Sequence, residues 1–246
     1  AGDTLIEVAH RLGIEIPRLC HKPGYRPDGN CRSCMVEIDG ERVLAPSCCR
    51  NPTEGMVVRS DSERARAAQR GVLELLLSDM PEQAYRADSE LAHWVQRLTE
   101  MSGRPVTARY PAREQPPGDD SHPAMVVNLD ACIQCTRCVR ACREEQANDV
   151  IGYAWRGDAA RIVFDSNDPM GQSSCVACGE CVQACPTGAL MPRDPATGRI
   201  AALQDSTAVD SLCPYCGVGC QLRFRVRDDR IVAVEGRDGP ANAGRL

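Results

Sequence analysis

The 246-residue sequence is poor in aromatic side chains, with two tryptophans, five tyrosines and two phenylalanines. These few large apolar side chains cannot fill one large hydrophobic core. Another kind of interaction must therefore stabilise the folded chain. A basic surplus is also missing, because 34 acidic residues outnumber 29 lysines and arginines and the net charge is −5. This charge excludes the basic surface of a nucleic-acid-binding protein. No apolar run approaches the roughly 18 residues of a membrane-spanning helix, so no membrane span is expected.

Cysteine, by contrast, is abundant, since the sequence has 16 in four groups separated by tens of residues. Disulfide bridges are disfavoured because thiols at every third residue are too crowded for separate bridges. Structural zinc is disfavoured because zinc prefers two separated Cys-x2-Cys pairs to three adjacent thiolates and a remote fourth. Iron–sulfur clusters are favoured, since a short loop with a thiolate at every third residue can surround three corners of a cubane.

Two groups repeat the bacterial ferredoxin spacing Cys-x2-Cys-x2-Cys-x3-Cys, in which the fourth cysteine of each run binds the other cluster. This spacing predicts one 4Fe–4S cluster on Cys132, Cys135, Cys138 and Cys185. It predicts a second 4Fe–4S cluster on Cys175, Cys178, Cys181 and Cys142. The similarity of CIQCTRCVRAC to CVACGECVQAC is an internal repeat, which predicts a pseudo-twofold domain of two hairpin-plus-helix halves.

The first group of cysteines predicts a 2Fe–2S site. Its candidate ligands are Cys20, Cys31 and Cys34, with Cys48 or Cys49 as the fourth, and the spacing alone does not decide between the last two. The first gap is rich in glycine and proline, as in a loop folded around a small inorganic body. Strands are predicted at Met35–Asp39 and Arg42–Leu44, so this part is expected to be a small β-rich ferredoxin domain. The last group, Cys213, Cys216 and Cys220, supplies three thiolates for a further cluster.

Several charged residues are adjacent to these cysteines in sequence: His21, Lys22, Arg32, Arg137 and Arg140. A positive charge beside a cluster stabilises its reduced form and raises its reduction potential. The simpler interpretation, which we favour from the sequence, is that these residues form a solvated loop face.

The segments GNCRSCMVEIDGERVLAPSC and EGMVV resemble the 2Fe–2S domain of the complex I large subunit, iron-only hydrogenases and NAD-linked formate dehydrogenases. In that family the last ligand lies seven residues before the glycine of a GMxV motif, here Gly55, so the resemblance selects Cys48. The two ferredoxin runs with their flanks resemble the twin-cluster module of the same group. The last segment resembles the start of the molybdopterin oxidoreductase catalytic subunit, and its sequence is SLCPYCGVGCQLRFRVRDDRIVAVEGRDGPAN. The whole order is similar to the α subunit of molybdenum- or tungsten-dependent, NAD-dependent formate dehydrogenases.

The resemblance implies an α+β, multidomain fold. A β-grasp-like 2Fe–2S ferredoxin domain without its first strand is expected over 1–61, a helical spacer over 62–103 and a linker over 104–123. A bacterial-type twin 4Fe–4S ferredoxin domain is expected over 124–196. A small β subdomain with a further 4Fe–4S site, at the start of the molybdopterin oxidoreductase domain, is expected over 206–246, with a hairpin around Asp228 and Asp229.

The sequence departs from the wider group where a further cluster with one histidine and three cysteine ligands often lies. Met80 stands at the position of that histidine and Ala84 at that of the first cysteine, and His93 has no thiol nearby. This cluster is therefore expected to be absent. Apolar residues at helical spacing predict two helices between Ser62 and Met101 instead.

A second departure concerns length, because the family's fourth ligand to the terminal cluster would lie beyond Leu246. The chain is therefore expected to be part of a longer polypeptide whose remainder binds a molybdenum or tungsten bis-molybdopterin and carries the catalytic residues. The implied function is electron transfer from formate oxidation to a flavin- and NAD-binding β subunit, with or without a small 2Fe–2S γ subunit. The alternative is an electron-carrier or diaphorase-type subunit of a complex I-like or hydrogenase assembly. The many reduced thiols imply a cytoplasmic location.

Overall fold

The computed structural model describes residues 2–246, which form small mixed α/β domains grouped in two compact units. The first unit comprises the residues up to Gln115 together with Asp130–Arg137, and the second comprises Pro116–Leu129 and Cys138–Leu246. No helix within residues 2–246 has the length and apolarity needed to cross a membrane.

The first unit opens with helix α1, Leu5–Arg11, which begins after Thr4 with a capping box to Glu7. Strand β1, Met35–Ile38, lies between two antiparallel neighbours, β2, Ala45–Pro46, and β3, Val58–Arg59. Apolar side chains of α1 and β1, with the sulfurs of Cys34 and Cys48, form the core of this part.

The expected strand at Met35–Asp39 is confirmed, but the strand expected at Arg42–Leu44 is wrong. The second strand lies at Ala45–Pro46, where Ala45 pairs with Val36 and Pro46 with Met35. Glu37 and Ile38 pair with β3 instead, so residues 42–44 have no strand to pair with.

The two predicted helices are present as α2, Glu63–Ser78, and α3, Glu90–Ser102. Each is capped by a serine: the Ser62 hydroxyl accepts the N–H of Ala65, and the Ser89 hydroxyl accepts the N–H of Ala92. Their apolar faces form a second buried cluster with the loops that carry the cysteines: Leu19, Cys20, Leu73, Leu91, Trp94, Leu98, Val106, Ile133 and Cys135. The helices thus bury parts of two predicted ligand loops, which is more than the spacing role expected of them.

The segment after α3, expected to be a linker, has no regular helix or strand before Met125. It is nevertheless held against α2, because Arg109 forms an ion pair with Glu74 at 3.1 Å and Arg113 forms one with Asp79 at 3.2 Å.

In the second unit, β4, Met125–Val127, pairs with β7, Leu190–Pro192, and β5, Ile151–Ala154, pairs with β6, Arg161–Phe164. Short helical segments begin within the cysteine runs: α4 at Arg137–Arg140, a π-helix at Ala141–Glu145 and α5 at Glu180–Ala184. Single turns of 3-10 helix lie at Leu129–Ala131, Gly157–Ala159, Met170–Gln172 and Leu203–Asp205. The expectation of a hairpin within each half is wrong. Strands β4 and β5, which flank the first run, pair with β7 and β6, which flank the second run.

The remainder of the second unit is an antiparallel sheet of β8, Thr207–Leu212, β9, Gln221–Arg227, and β10, Arg230–Gly236, with β9 in the centre. The predicted hairpin is confirmed: Asp228 and Asp229 form its turn with φ of +49° and +57°. Such left-handed values are typical of the two-residue turns that suit the twist of a hairpin. Arg227, at the end of β9, forms an ion pair with the buried Asp194.

Candidate iron–sulfur sites

Four thiols of the first cysteine group lie together in the first unit. Cys20, Cys34 and Cys48 are fully buried, and Cys31 is half-buried. The sulfur of Cys20 contacts those of Cys31 and Cys48, and the sulfur of Cys48 also contacts that of Cys34. The four thiols therefore form two adjacent pairs of donors, Cys20 with Cys31 and Cys34 with Cys48. A 2Fe–2S cluster requires such a set of four thiolates.

The thiols of this group perturb one another's ionisation. Contact with Cys31 and Cys48 lowers the pKa of the Cys20 thiol, and the same contacts raise the pKa of both partners. Four adjacent buried sulfurs cannot all be ionised unless positive charge lies between them. The donor set therefore fits a polynuclear iron–sulfide cluster, which carries positive charge to several sulfurs at once.

Cys49 lies at the exposed edge of this group of sulfurs. Its side chain is exposed, and its sulfur is 3.6 Å from that of Cys48. It packs over Gly29, where an added Cβ would lie 2.9 Å from the Cys49 sulfur and where φ is +62°. Glycine at position 29 thus permits both the left-handed loop and the close approach of Cys49.

The two ferredoxin runs have the same backbone conformation. In each run the N–H of the third residue donates to the sulfur of the first cysteine at 3.4 Å, from Gln134 to Cys132 and from Ala177 to Cys175. Left-handed φ recurs at the third and fifth positions: +56° at Gln134, +58° at Thr136, +58° at Ala177 and +81° at Gly179. The internal repeat is therefore a repeat of loop geometry, and both loops turn their amides towards sulfur.

Cys142 lies close to the thiols of the second run. Burial raises the pKa of Cys181, and the neighbouring thiols of Cys178, Cys175 and Cys142 raise it further, while Cys185 contributes least. Cys142 belongs to the π-helix, and its sulfur accepts the N–H of Val150 at 3.3 Å. The crossover ligand expected for the second cluster is thus near the three thiols that it should join.

The other expected 4Fe–4S set is divided between the two units. Cys132 and Cys135 belong to the first unit, and Cys138 and Cys185 to the second. Cys135, Cys138 and Cys185 are buried, and Cys132 is half-buried. The assignment of these four residues to one cluster stays a prediction from their spacing.

The terminal group of thiols lies beside the second run. The N–H of Cys213 donates to the carbonyl of Cys220 at 2.9 Å, which closes the loop, while Cys216 is exposed. Cys213 and Cys220 line a mainly apolar cavity of about 460 Å³ together with Cys178. One cavity therefore borders both this group and a candidate ligand of the second 4Fe–4S cluster.

The region in which the histidine-ligated cluster is expected to be absent contains packing and surface residues. Met80 lies partly buried against the apolar cluster of α2 and α3, and Ala84 is exposed. His93 is exposed on α3, with its ring edge-on to Trp94 at 5.0 Å between centroids. These three residues therefore have the environments of packing and surface residues.

Replacing Met80 with alanine is expected to leave every cluster signal and the iron content unchanged. It should cost about 1–2 kcal/mol of stability, because a half-buried methionine loses part of its packing. Electron paramagnetic resonance of the reduced protein, iron analysis and denaturant unfolding measure these quantities. Leu73→Ala is the matched control, since Leu73 is fully buried in the same cluster and should lose about 2–5 kcal/mol. Disappearance of a cluster signal in Met80→Ala would mean that Met80 supports a cluster.

The favoured interpretation of a solvated loop face is wrong for Arg137 and Arg140, which are each 2% exposed. Arg137 forms a two-pronged ion pair with Glu90 at 2.6 and 2.8 Å and donates to the carbonyl of His21. His21 is also buried, whereas Arg32 is exposed as expected. Burial of these arginines depends on elements remote in sequence, so periodicity near the cysteines could not reveal it.

Two further contacts join the loop of the first cysteine group to the first ferredoxin run. The side-chain amide of Asn30 donates to the carbonyl of Gln134 at 2.7 Å, and the hydroxyl of Thr136 donates to Asp28. With the bond from Arg137 to His21, three hydrogen bonds therefore connect these two loops within the first unit.

Glu180 was not predicted from the sequence, although its carboxylate is completely buried between Cys178 and Cys181 in the chain. A position-by-position comparison of the two runs could have identified Glu180, because it occupies the position in the second run that Arg137 occupies in the first.

Comparison with known families identifies three domains. Residues 1–63 match the 2Fe-2S iron-sulfur cluster binding domain, residues 131–189 the 4Fe-4S dicluster domain, and residues 206–246 the molybdopterin oxidoreductase Fe4S4 domain. The chain therefore contains iron–sulfur domains of both the 2Fe–2S and the 4Fe–4S kind.

Individual relatives are similar over most of this chain. The chain is 35% identical to an NADH-quinone oxidoreductase subunit of Rhizobium meliloti, over 95% of this chain and 27% of the relative. It is 26% identical to "Putative formate dehydrogenase SH0748" of Staphylococcus haemolyticus, over 98% of this chain and 28% of the relative. Among solved structures, an NAD+-reducing NiFe hydrogenase is similar with a TM-score of 0.68 and 29% identity, over 78% of this chain and 81% of that chain.

The chain thus spans 27–28% of the length of these two curated relatives. More particularly, this chain of iron–sulfur domains is similar to part of an NADH-quinone oxidoreductase subunit, part of a putative formate dehydrogenase and most of a chain of an NAD+-reducing hydrogenase.

Proposed function

We propose that this segment conducts electrons within a molybdenum- or tungsten-dependent, NAD-dependent formate dehydrogenase. The observation that carries the proposal is the molybdopterin oxidoreductase Fe4S4 match at residues 206–246, in the same chain as the 2Fe–2S and dicluster matches. The similarity to "Putative formate dehydrogenase SH0748" over 98% of this chain supports it. The bound molybdopterin metal would oxidise formate, and it would be held by residues outside this chain.

We assign fifteen of the sixteen cysteines as ligands. The 2Fe–2S cluster would be held by Cys20, Cys31, Cys34 and Cys48. One 4Fe–4S cluster would be held by Cys132, Cys135, Cys138 and Cys185, and the other by Cys175, Cys178, Cys181 and Cys142. A further 4Fe–4S cluster would be held by Cys213, Cys216 and Cys220 with a fourth ligand outside the chain.

The chain's own residues support an order for electron transfer. Electron tunnelling weakens steeply with distance, so short gaps between sites decide the route. The cavity shared by Cys178, Cys213 and Cys220 favours transfer from the terminal site to the second run. The hydrogen bonds from Asn30 to Gln134 and from Arg137 to His21 favour transfer from the first run to the 2Fe–2S site.

The expected partners follow from this role. Two electrons from formate leave one at a time through the clusters and need a carrier that recombines them, such as the flavin of an NAD-binding β subunit. A small 2Fe–2S γ subunit is a further expected partner. We place the assembly in the cytoplasm, where thiols stay reduced for cluster insertion.

A second candidate function is electron transfer in a complex I-like or hydrogenase assembly, without a catalytic centre in the same polypeptide. It is favoured by the 35% identity to the NADH-quinone oxidoreductase relative and by the structural similarity to the NAD+-reducing hydrogenase.

The native full-length protein, purified anaerobically with its partners, should distinguish the two candidates. Its three complete sites are expected to hold about 10 iron atoms, or about 14 with the terminal cluster, and equal sulfide. Formate should then bleach the visible absorbance of the clusters, and so should NADH. In a Cys216→Ala variant, formate should lose this effect while NADH keeps it.

Bleaching by NADH but not by formate would favour the second candidate. Zinc without sulfide would contradict both, because neither function is possible without redox-active clusters.

A further inference from the structure

The three-stranded sheet of the second unit carries two of its cysteines at one end. Leu212, the last residue of β8, pairs with Gln221, the first residue of β9. Cys213 directly follows the one and Cys220 directly precedes the other. Strand β10 ends at the same place, because its last residue, Gly236, pairs with the second residue of β9. We call this the cysteine end of the sheet.

Two glutamine side chains bind the segment of the chain that leaves this end. The side-chain amide of Gln183 accepts the N–H of Gly236 at 2.6 Å and donates to the carbonyl of Gly244 at 2.6 Å. The side-chain amide of Gln146 donates to the carbonyl of Leu246 at 2.7 Å. We call Gln146 and Gln183 the glutamine clamp, since together they hold the segment at three points.

Each glutamine of the clamp is attached to a helix that carries a candidate ligand. Gln183 lies in α5 together with Cys181, and Gln146 directly follows the π-helix that contains Cys142. Cys142 and Cys181 are assigned to the same 4Fe–4S cluster, which we call the second-run cluster. The clamp therefore fixes the cysteine end of the sheet to the two helices that carry ligands of this cluster.

Charged contacts accompany the clamp. The Glu180 carboxylate accepts the N–H of Leu246 at 3.0 Å, and Arg245 forms an ion pair with Glu145 at 2.7 Å. The two glutamines themselves are neutral, so their replacement by another neutral residue leaves the charge beside the cluster sites unchanged.

A separate contact holds the opposite end of the sheet. Arg227, the last residue of β9, forms an ion pair with Asp194, which is 1% exposed. Strand β9 has 7 residues, so at about 3.3 Å per residue its two ends are about 20 Å apart. Loss of the clamp should therefore free the cysteine end while the far end stays attached.

The freed end is the one that faces the second run. Cys213 and Cys220 border the same cavity of about 460 Å³ as Cys178. Because electron tunnelling weakens exponentially with distance, even a small movement of the cysteine end should slow transfer across this gap.

We infer that Gln146 and Gln183 are positioning residues for electron transfer, which hold the terminal site at a fixed, short distance from the second-run cluster. The inference rests on the proposed function, in which electrons from formate cross this gap. One electron at a time leaves the terminal cluster, which is oxidised, and enters the second-run cluster, which is reduced. No bond is formed or broken in this step, so its rate depends on the distance that the clamp maintains.

The test uses the native complex, in which freeze-quench electron paramagnetic resonance follows reduction of the second-run cluster by formate and, separately, by NADH. The double variant Gln146→Met, Gln183→Met keeps the size of both side chains but removes their N–H donors. Reduction by formate should slow about fivefold or more, because each lost hydrogen bond weakens docking by roughly fivefold. Reduction by NADH should keep its rate, because its electrons reach this cluster through the 2Fe–2S site and the first run.

Two control variants accompany the double variant. Asp194→Asn loosens the same sheet at its far end and should slow reduction by formate less than the double variant does. Gln172→Met changes an exposed glutamine and should keep the rate of the unmodified protein. As a second measurement, the spin–spin interaction between the terminal and second-run clusters after reduction by dithionite should weaken in the double variant, since it falls with the cube of their distance.

Equal slowing by formate and by NADH, or unchanged rates and spin–spin interaction with all clusters present, would overturn the inference while leaving the proposed function intact. Failure of formate to reduce any cluster of the unmodified complex would instead contradict the proposed function, and the spin–spin interaction would still test the clamp. If the double variant does not assemble its clusters, Gln183→Met alone replaces it. This single variant should show the same difference between formate and NADH, with a smaller slowing.

Discussion

Replacement of Cys34 by alanine is expected to abolish the 2Fe–2S signal in electron paramagnetic resonance and to leave the 4Fe–4S signals in place. Cys34 is 1% exposed, and its sulfur contacts that of Cys48 in the group of four thiols. Alanine removes one of four ligands from a buried site that cannot recruit water easily, so the cluster should not assemble. Iron analysis should show a loss of about two atoms per chain.

The matched control is Cys49→Ala, which removes the exposed thiol adjacent to the group. This variant should retain the 2Fe–2S signal and the full iron content. Loss of the signal in Cys49→Ala, with retention in Cys48→Ala, would assign the fourth ligand to Cys49 and contradict the geometry of the site.

A second large effect is expected from Cys142→Ala, which should remove the 4Fe–4S signal of the other run. Although Cys142 is the fourth cysteine of the first run, its thiol is one of those that raise the pKa of Cys181 in the second run. The signal that disappears in Cys178→Ala identifies the second-run cluster, and the signal that disappears in Cys135→Ala identifies the first-run cluster. Cys142→Ala should match the spectrum of Cys178→Ala.

A match between Cys142→Ala and Cys135→Ala would mean that each run binds its own cluster with four consecutive cysteines. The crossover would then be wrong, and the route from the terminal site would have to be assigned again.

The sequence predicted the elements that depend on local pattern. Helices α2 and α3 were predicted because apolar residues recur at helical spacing, as Leu91, Trp94 and Leu98 do in α3. The turn at Asp228 and Asp229 was found because short polar residues tolerate left-handed backbone between two alternating segments. The strand at Arg42–Leu44 was wrong because strand pairing depends on partners elsewhere in the sheet, and β3 takes the place beside Glu37 and Ile38.

The sequence by itself determined which chemistry the chain performs, because iron–sulfur clusters need thiolates at short intervals and this spacing is visible in the linear chain. The three family matches agree with that prediction. Only the tertiary structure decided which charged side chains beside those cysteines in sequence are withdrawn from water. Burial of Arg137 and Glu180 arises from contacts with residues 47 and 66 positions away, Glu90 and Leu246. The strength of a charge depends on its exclusion from water, and that exclusion is created only when distant segments pack together.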